Sequence, residues 1–254
     1  MKLRILDTAL EGEVPKQYAS SYLVNDVLAV DAGCLGFWRS PDDQAEIRHI
    51  LITHPHMDHI ASLPMFIENA YRPGLDSVTV YGLAETVEAL QRHVFNDVIW
   101  PDFVKITVGG KPFVRLQPIK AGEPFQAAGL MVSAIRVDHV VPTCGFIVTD
   151  QRSTIIFGAD AGPTQQLWEA AHGTPRPRAV VLEACFPNSM KELARVSAHL
   201  TPEMFREEVA KMPVMDRIIA VHLKEVFRKQ VEQELALLGL PQLEIGVARR
   251  EYEI

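Results

Sequence analysis

The chain has 254 residues, 48% of them hydrophobic, and its 25 Lys and Arg against 32 Asp and Glu leave a formal charge of -7. That size and apolar content suit one α/β domain, expected to span residues 1–254, and the negative balance argues against a broad electrostatic grip on nucleic acid. No apolar stretch approaches the ~20 residues needed to span a bilayer, Asp7 and Glu11 come too early for a signal peptide, and Cys34, Cys144 and Cys185 are scattered without a Cys-x-x-Cys pair, so the expectations are no membrane association and a reducing cytoplasm.

Along the chain, strands over 21–24 and 27–30 flank Asn25-Asp26, which reads as a hairpin turn. A strand closes on Asp31-Ala32-Gly33, and another covers 47–53. Helical spacing of apolar residues follows over 60–69 and 85–95, with a strand at 78–81 between them. The stretch 104–137 is punctuated by Gly and Pro and is rich in strand formers. Further strands are expected at 145–148, 154–157, 179–182 and 217–221, and helices at 164–171, 202–211 and 227–238. Thr201 is placed as the N-cap of the second of these helices, with Pro202 in its first turn. Buried strands interleaved with amphipathic helices imply sheets covered by helices on their outer faces.

The segment Thr53-His54-Pro55-His56-Met57-Asp58-His59 places three histidines and an aspartate in six residues after the apolar run Ile50-Leu51-Ile52. Imidazole and carboxylate hold zinc, manganese or iron. At this spacing four ligands from one segment cannot surround a single ion. His54 and His56 can point to one side while Asp58 and His59, on the following turn, aim a few ångström away, which favours two neighbouring metals completed from elsewhere. Strand ends offer His139 after 131–137, Asp160 after 154–157 and His222 after 218–221. Taken singly, His139 and His222 read better as satisfied core histidines and Asp160 as a helix N-cap; the three together, in a chain already carrying the cluster, favour ligation.

The cluster, with Asp31-Ala32-Gly33, His139, Asp160 and His222, resembles the metallo-β-lactamase superfamily. That resemblance implies an αββα sandwich of two mixed β-sheets with helices on the outer faces and a dinuclear site between the sheet edges. It further implies that His54, His56 and His139 hold one metal, that Asp58, His59 and His222 hold the other, and that Asp160 bridges them. The blocks 53–64, His93-Val94-Phe95-Asn96-Asp97 with Ile99-Trp100-Pro101, Asp160-Ala161-Gly162-Pro163-Thr164, Glu183-Ala184-Cys185-Phe186-Pro187-Asn188 and Ser197-Ala198-His199-Leu200-Thr201-Pro202 look like the class II cyclic-nucleotide phosphodiesterases. Three positions depart from that pattern. Ala159-Asp160-Ala161 stands where Gly-Asp-Thr is usual, and Ala198 where a glycine is common.

Two divalent ions, most readily zinc and otherwise manganese or iron, held about 3.5–4 Å apart can share a hydroxide that attacks a phosphodiester in line. The ribose 3'-oxygen leaves poorly without a proton. His199, outside the ligand set and similar to the extra histidine of the phosphodiesterase and tRNA-processing branches, is the expected catalytic donor. An ordinary histidine at a helix start is its competing reading. Asp58 is expected to orient His199 as well as bind metal, Glu183 to support the site from behind, and Asp31 to brace the metal loop. His49, His93 and His172 read as packing or surface residues, and Cys144 and Cys185 as small buried ones. Phe37, Trp38, Trp100 and Phe103 offer faces on which a base can stack but suit packing better.

These features imply hydrolysis of 3',5'-cyclic nucleotides, with a small cyclic nucleotide as partner and, by resemblance, a homodimer. Rival expectations are a hydrolase of another small substrate (a different cyclic phosphate, a lactone or a thioester), a tRNA 3'-end endonuclease, and a metal-binding protein without turnover. The acidic chain offers no basic surface for RNA, and a full ligand set with a proton donor argues against a purely binding role.

Overall fold

The computed structural model describes residues 1–8 and 16–254; Glu11 lies outside them. Side chains alternate across each strand, and here both faces are apolar. Ile50 and Ile52 pack to one side while Leu51 packs to the other. Val180 and Leu182 likewise face away from Val181, and Ile218 and Ala220 away from Ile219. Strands of this kind must be covered twice, and the layers follow from that requirement.

The first sheet runs in the order Glu251–Glu253, Lys2–Ile5, Tyr22–Val24, Leu28–Val30, His49–Leu51, Val78–Leu83 and Val114–Ile119. Its first three pairings are antiparallel and its last three parallel. The second sheet, in the order Phe125–Ala127, Leu130–Val137, Thr143–Thr149, Thr154–Phe157, Pro177–Glu183, Arg217–Val221 and Leu243–Ile245, repeats this scheme. A central core that includes Leu3, Ile5, Val30 and Leu51 of the first sheet and Phe146, Phe157, Val181 and Ile219 of the second joins the inner faces. Helices Leu63–Ala70 and Ala84–His93 cover the outside of the first sheet. Helices Gln166–His172, Pro202–Val209 and Arg228–Ala236 cover the second. The result is the αββα arrangement of two mixed sheets. No helix among the described residues is long and apolar enough to cross a membrane.

The expected elements recur with shifted ends. The hairpin strands are Tyr22–Val24 and Leu28–Val30, so its turn takes three residues rather than two. Asn25 and Asp26 sit at φ 53° and 56°, the left-handed region these two side chains tolerate best after glycine. The helix expected over 60–69 is two pieces, Met57–Ile60 and Leu63–Ala70, because Pro64 and Ser62 open a new first turn. Thr201 does cap Pro202–Val209, accepting from Met204 N at 3.4 Å. Strands Lys2–Ile5, Leu243–Ile245 and Glu251–Glu253 and helices Pro41–Ala45 and Lys191–Val196 add to the expected set.

Gly33 fixes where the histidine segment can lie. A Cβ there would sit 2.0 Å from the Asp58 carbonyl oxygen. The same close approach lets Ser20 N donate to Asp58 O and Ala32 N to His59 O, each at 2.7 Å. Gly33→Ala is therefore expected to cost about 1–3 kcal/mol through overpacking against backbone, measured as a lowered urea midpoint with unchanged slope.

Candidate metal centre

Apart from His199, which lies between helices Lys191–Val196 and Pro202–Val209, each functional side chain follows the carboxyl end of a strand. After His49–Leu51 the chain turns into the short helix Met57–Ile60, leaving His54 and His56 on the turn and Asp58 and His59 in the first helical residues. His139 follows Leu130–Val137, Asp160 follows Thr154–Phe157, Glu183 ends Pro177–Glu183, and His222 follows Arg217–Val221. The first sheet thus supplies one segment and the second sheet the rest.

The structure gathers these residues into two adjoining groups. Donor atoms of His54, His56 and His139 lie within 4.8 Å of one another, as do those of Asp58, His59, Asp160 and His222. His56 Nδ1 is 3.0 Å from His54 Nε2 and 3.4 Å from His139 Nε2. Asp160 Oδ2 lies 3.2 Å from both His59 Nε2 and His222 Nε2 and 3.9 Å from His54 Nε2, so this one oxygen borders both groups. Asp58 Oδ2 approaches His222 Nε2 at 3.2 Å.

Partners behind the histidines set which nitrogen faces inward. Asp31 accepts from Thr53 N at 2.8 Å and pairs with His59 Nδ1 at 2.7 Å. Thr53 Oγ1 lies 3.0 Å from His54 Nδ1, and His139 Nδ1 donates to Ala198 O at 3.1 Å. Glu183 collects backbone N–H groups of Ala161, Cys185 and Leu200 at 3.1–3.2 Å and holds His199 Nδ1 at 2.7 Å. Asp58, expected to orient His199, instead contacts His222 and Lys224; Glu183 is the carboxylate within reach of His199 because their two loops are laced together by Leu200 N and Cys185 N.

Electrostatics divide the two groups. Burial holds His54 in its neutral form, its pKa lowered to about 2, with His59 adding to the effect. Burial also lowers His56 and His139. A neutral imidazole keeps the lone pair that a metal needs. In the other group, burial opposes charging of His59, but Asp160 and Asp31 outweigh it and raise His59 well above its usual value. Burial would raise Asp160, but His222 and His59 hold it well below the usual carboxylate range. A cluster that draws protons this strongly draws divalent cations for the same reason. The residues present fit metal ions: the donors are imidazole and carboxylate, and buried His59 Nε2 has no hydrogen-bond partner although Asp160 stands beside it.

His199, 9% exposed, stacks on His222 with ring centroids 5.6 Å apart and 17° between planes. Burial works against its charged form, but the charge and hydrogen bond of Glu183 prevail and raise its pKa. Burial pushes the Cys185 thiol far up, so it stays a buried thiol beside the site. Residues not singled out from the sequence include Phe186, edge-on to His199 at 5.7 Å, and Lys224, 3.8 Å from Asp58 Oδ2. Lys224 sits two residues after His222, and that spacing was the one signal available. Phe103 stacks on Phe113, Trp100 lies edge-on to Phe103, and Trp38 packs on the outer core; Phe37 is exposed. His49 bonds the Tyr81 hydroxyl at 3.0 Å, His172 contacts Lys211 O, and His93 ends an exposed helix face.

A β-lactamase superfamily domain model matches residues 29–223, and the chain belongs to the metallo-β-lactamase superfamily. Over 227 residues it is 21% identical to a probable 3',5'-cyclic-nucleotide phosphodiesterase of Yersinia pestis, covering 79% of this chain and 63% of the relative. A 52-residue stretch is 48% identical to 3',5'-cyclic-nucleotide phosphodiesterase 1 of Saccharomyces cerevisiae, covering 20% of this chain and 14% of that one. The chain thus spans less than two thirds of the length of these curated relatives. Among solved structures, unliganded yeast PDE1 superposes with TM-score 0.79 at 19% identity over 98% of both chains. Human tRNase Z, short form, does so with TM-score 0.70 at 16% identity, covering 100% of this chain and 99% of the other.

Asp31, Ala159, Ala198 and His222 all take positive φ, at 59°, 58°, 51° and 56°. The two alanines that stand where the family pattern has glycine, Ala159 and Ala198, therefore occupy backbone that favours glycine. The left-handed conformation costs an alanine about 1–2 kcal/mol, against about 0.4–1 kcal/mol of unfolded-state entropy that glycine adds. Ala198→Gly is expected to leave stability unchanged or raise it by up to about 1 kcal/mol, read from denaturant midpoints.

Proposed function

We propose that this chain is a single-domain, dinuclear metal-dependent phosphodiesterase that opens 3',5'-cyclic nucleotides to 5'-monophosphates. The observation that carries the reading is Asp160 Oδ2, 3.2 Å from His59 and His222 and 3.9 Å from His54, one carboxylate oxygen on the boundary of two donor groups. His54, His56 and His139 would hold one divalent ion and Asp58, His59 and His222 the other, with Asp160 between them; zinc, manganese and iron all accept such donors. When bound, the pair supplies the positive charge that lowers the pKa of water and offsets charge accumulating on phosphorus.

This chain's own residues do the remaining work. Glu183 grips His199 Nδ1 at 2.7 Å, leaving Nε2 to carry a proton toward the departing 3'-oxygen. Ala198, through its carbonyl, and Asp31 fix the rings of His139 and His59. The names of the Yersinia and yeast relatives support a cyclic-nucleotide substrate. A tRNA 3'-end endonuclease is the second reading, supported by the likeness to human tRNase Z and opposed by the charge of -7. Action in the cytoplasm as a homodimer belongs to the same proposal.

Turnover of 3',5'-cyclic AMP by protein loaded separately with zinc, manganese and iron is expected to give 5'-AMP on chromatography. Cleavage of an aryl phosphodiester but of no cyclic nucleotide would discard the cyclic-nucleotide assignment, and preferential trimming of precursor tRNA would favour the second reading. His199→Ala is expected to retain metal and to slow cyclic AMP hydrolysis by about 10²–10⁴-fold, with a much smaller loss on an activated aryl ester that needs no protonated leaving group. Equal losses on both substrates would sink the proton-donor role.

A further inference from the structure

We propose that Lys224 holds the phosphate of the substrate and so selects an anionic phosphoester over a neutral lactone or thioester, an inference that deepens the phosphodiesterase reading and rests on it. Lys224 stands on a fixed turn: its N–H donates to Cys185 O at 3.3 Å, and its carbonyl accepts from Phe227 N at 2.8 Å. Its ammonium ends 3.8 Å from Asp58 Oδ2, outside hydrogen-bond range. The side chains of Lys224 and Asp58 are 43% and 31% exposed, whereas Asp31, Asp160 and Glu183 are buried. These two residues, with the half-buried His56 and His139, therefore line the open side of the site, where an incoming anion meets the protein.

An anion arriving there passes the Asp58 carboxylate, and Lys224 is the cation placed to offset it. Its three N–H donors are committed only to a loose, half-exposed ion pair, which by itself contributes little. They remain free for a non-bridging phosphate oxygen, to which a charge-assisted bond is strong. His199 stacks on His222, while Lys224 ends beside Asp58, whose Oδ2 lies 3.2 Å from His222 Nε2. His199 then serves the leaving oxygen and Lys224 a non-bridging one. A neutral ester has no anionic oxygen for Lys224 to hold.

The test is calorimetric titration of inorganic phosphate and 5'-AMP into zinc-loaded wild type, Lys224→Gln and Lys224→Arg, with zinc content measured on each. Lys224→Gln is expected to keep its zinc and bind both anions about ten- to a hundredfold more weakly. Lys224→Arg is expected to recover most of that loss, and the KM for an aryl phosphodiester to rise more than kcat falls. Unchanged anion affinity in Lys224→Gln, no phosphate binding by wild type, or loss of zinc from Lys224→Gln would overturn the proposal, the last by making Lys224 a prop for Asp58. Because binding needs no turnover, a wild type that binds phosphate but cleaves no phosphodiester overturns the phosphodiesterase reading while the Lys224 comparison still stands or falls on its own.

Discussion

Asp160 is a carboxylate 3% exposed between two β-sheets, and the surrounding architecture answers the problem it poses. Burying an unpaired carboxylate costs several kcal/mol. Asp31 and Glu183, as deeply buried, meet that cost with backbone and hydroxyl donors together with one imidazole each: Thr53 N, Thr53 Oγ1 and His59 Nδ1 for the first, three N–H groups and His199 Nδ1 for the second. Asp160 is met by imidazoles from both sheets, His59 on one side and His222 on the other. The central core keeps the two sheets in contact, and it thereby keeps these rings at the same oxygen. Packing and electrostatics are not separable here, since sliding one sheet would leave the carboxylate without its partners.

A division of labour runs through the site. His54, His59 and His139 each have one nitrogen held from behind and one turned inward, with Thr53, Asp31 and Ala198 doing the holding. Glu183 does the same for His199. The tautomer of a histidine follows from the partner it keeps, so the inner surface of lone pairs is specified by residues that never face it. Gly33 belongs to this outer layer too, because its missing side chain is what allows the histidine segment to lie against its brace.

Much of this was legible in the sequence, for physical reasons. Strands buried on both faces write continuous apolar runs, and Thr154–Phe157 and Arg217–Val221 fall where such runs stand. A polar residue within the first few positions after such a run has no evident packing role, which is how His139, Asp160 and His222 stood out. Short or edge elements such as Leu243–Ile245 and Glu251–Glu253 carry too few residues for periodicity to register. Asp58 was expected beside His199, and Glu183 stands there instead, because that pairing depends on how two loops lace together through backbone N–H groups, which no spacing encodes. Lys224 was invisible for a related reason: a lone lysine after a strand reads as solvated surface until its distance to Asp58 is known.

Four of the left-handed residues, Asp31, Ala159, Ala198 and His222, sit in or beside the site, and strain of this kind persists only where the surrounding structure over-determines it. For His222 and Asp31 the backbone shape and the side chain's duty are tied together, so relaxing one gives up the other. Ala159 and Ala198 carry no such duty; their strain is a cost with no side-chain chemistry attached. The protein's capacity to gain stability under selection is therefore unevenly distributed across its own active centre. Two positions there are open to improvement, while two others hold the chain in a conformation it would otherwise abandon.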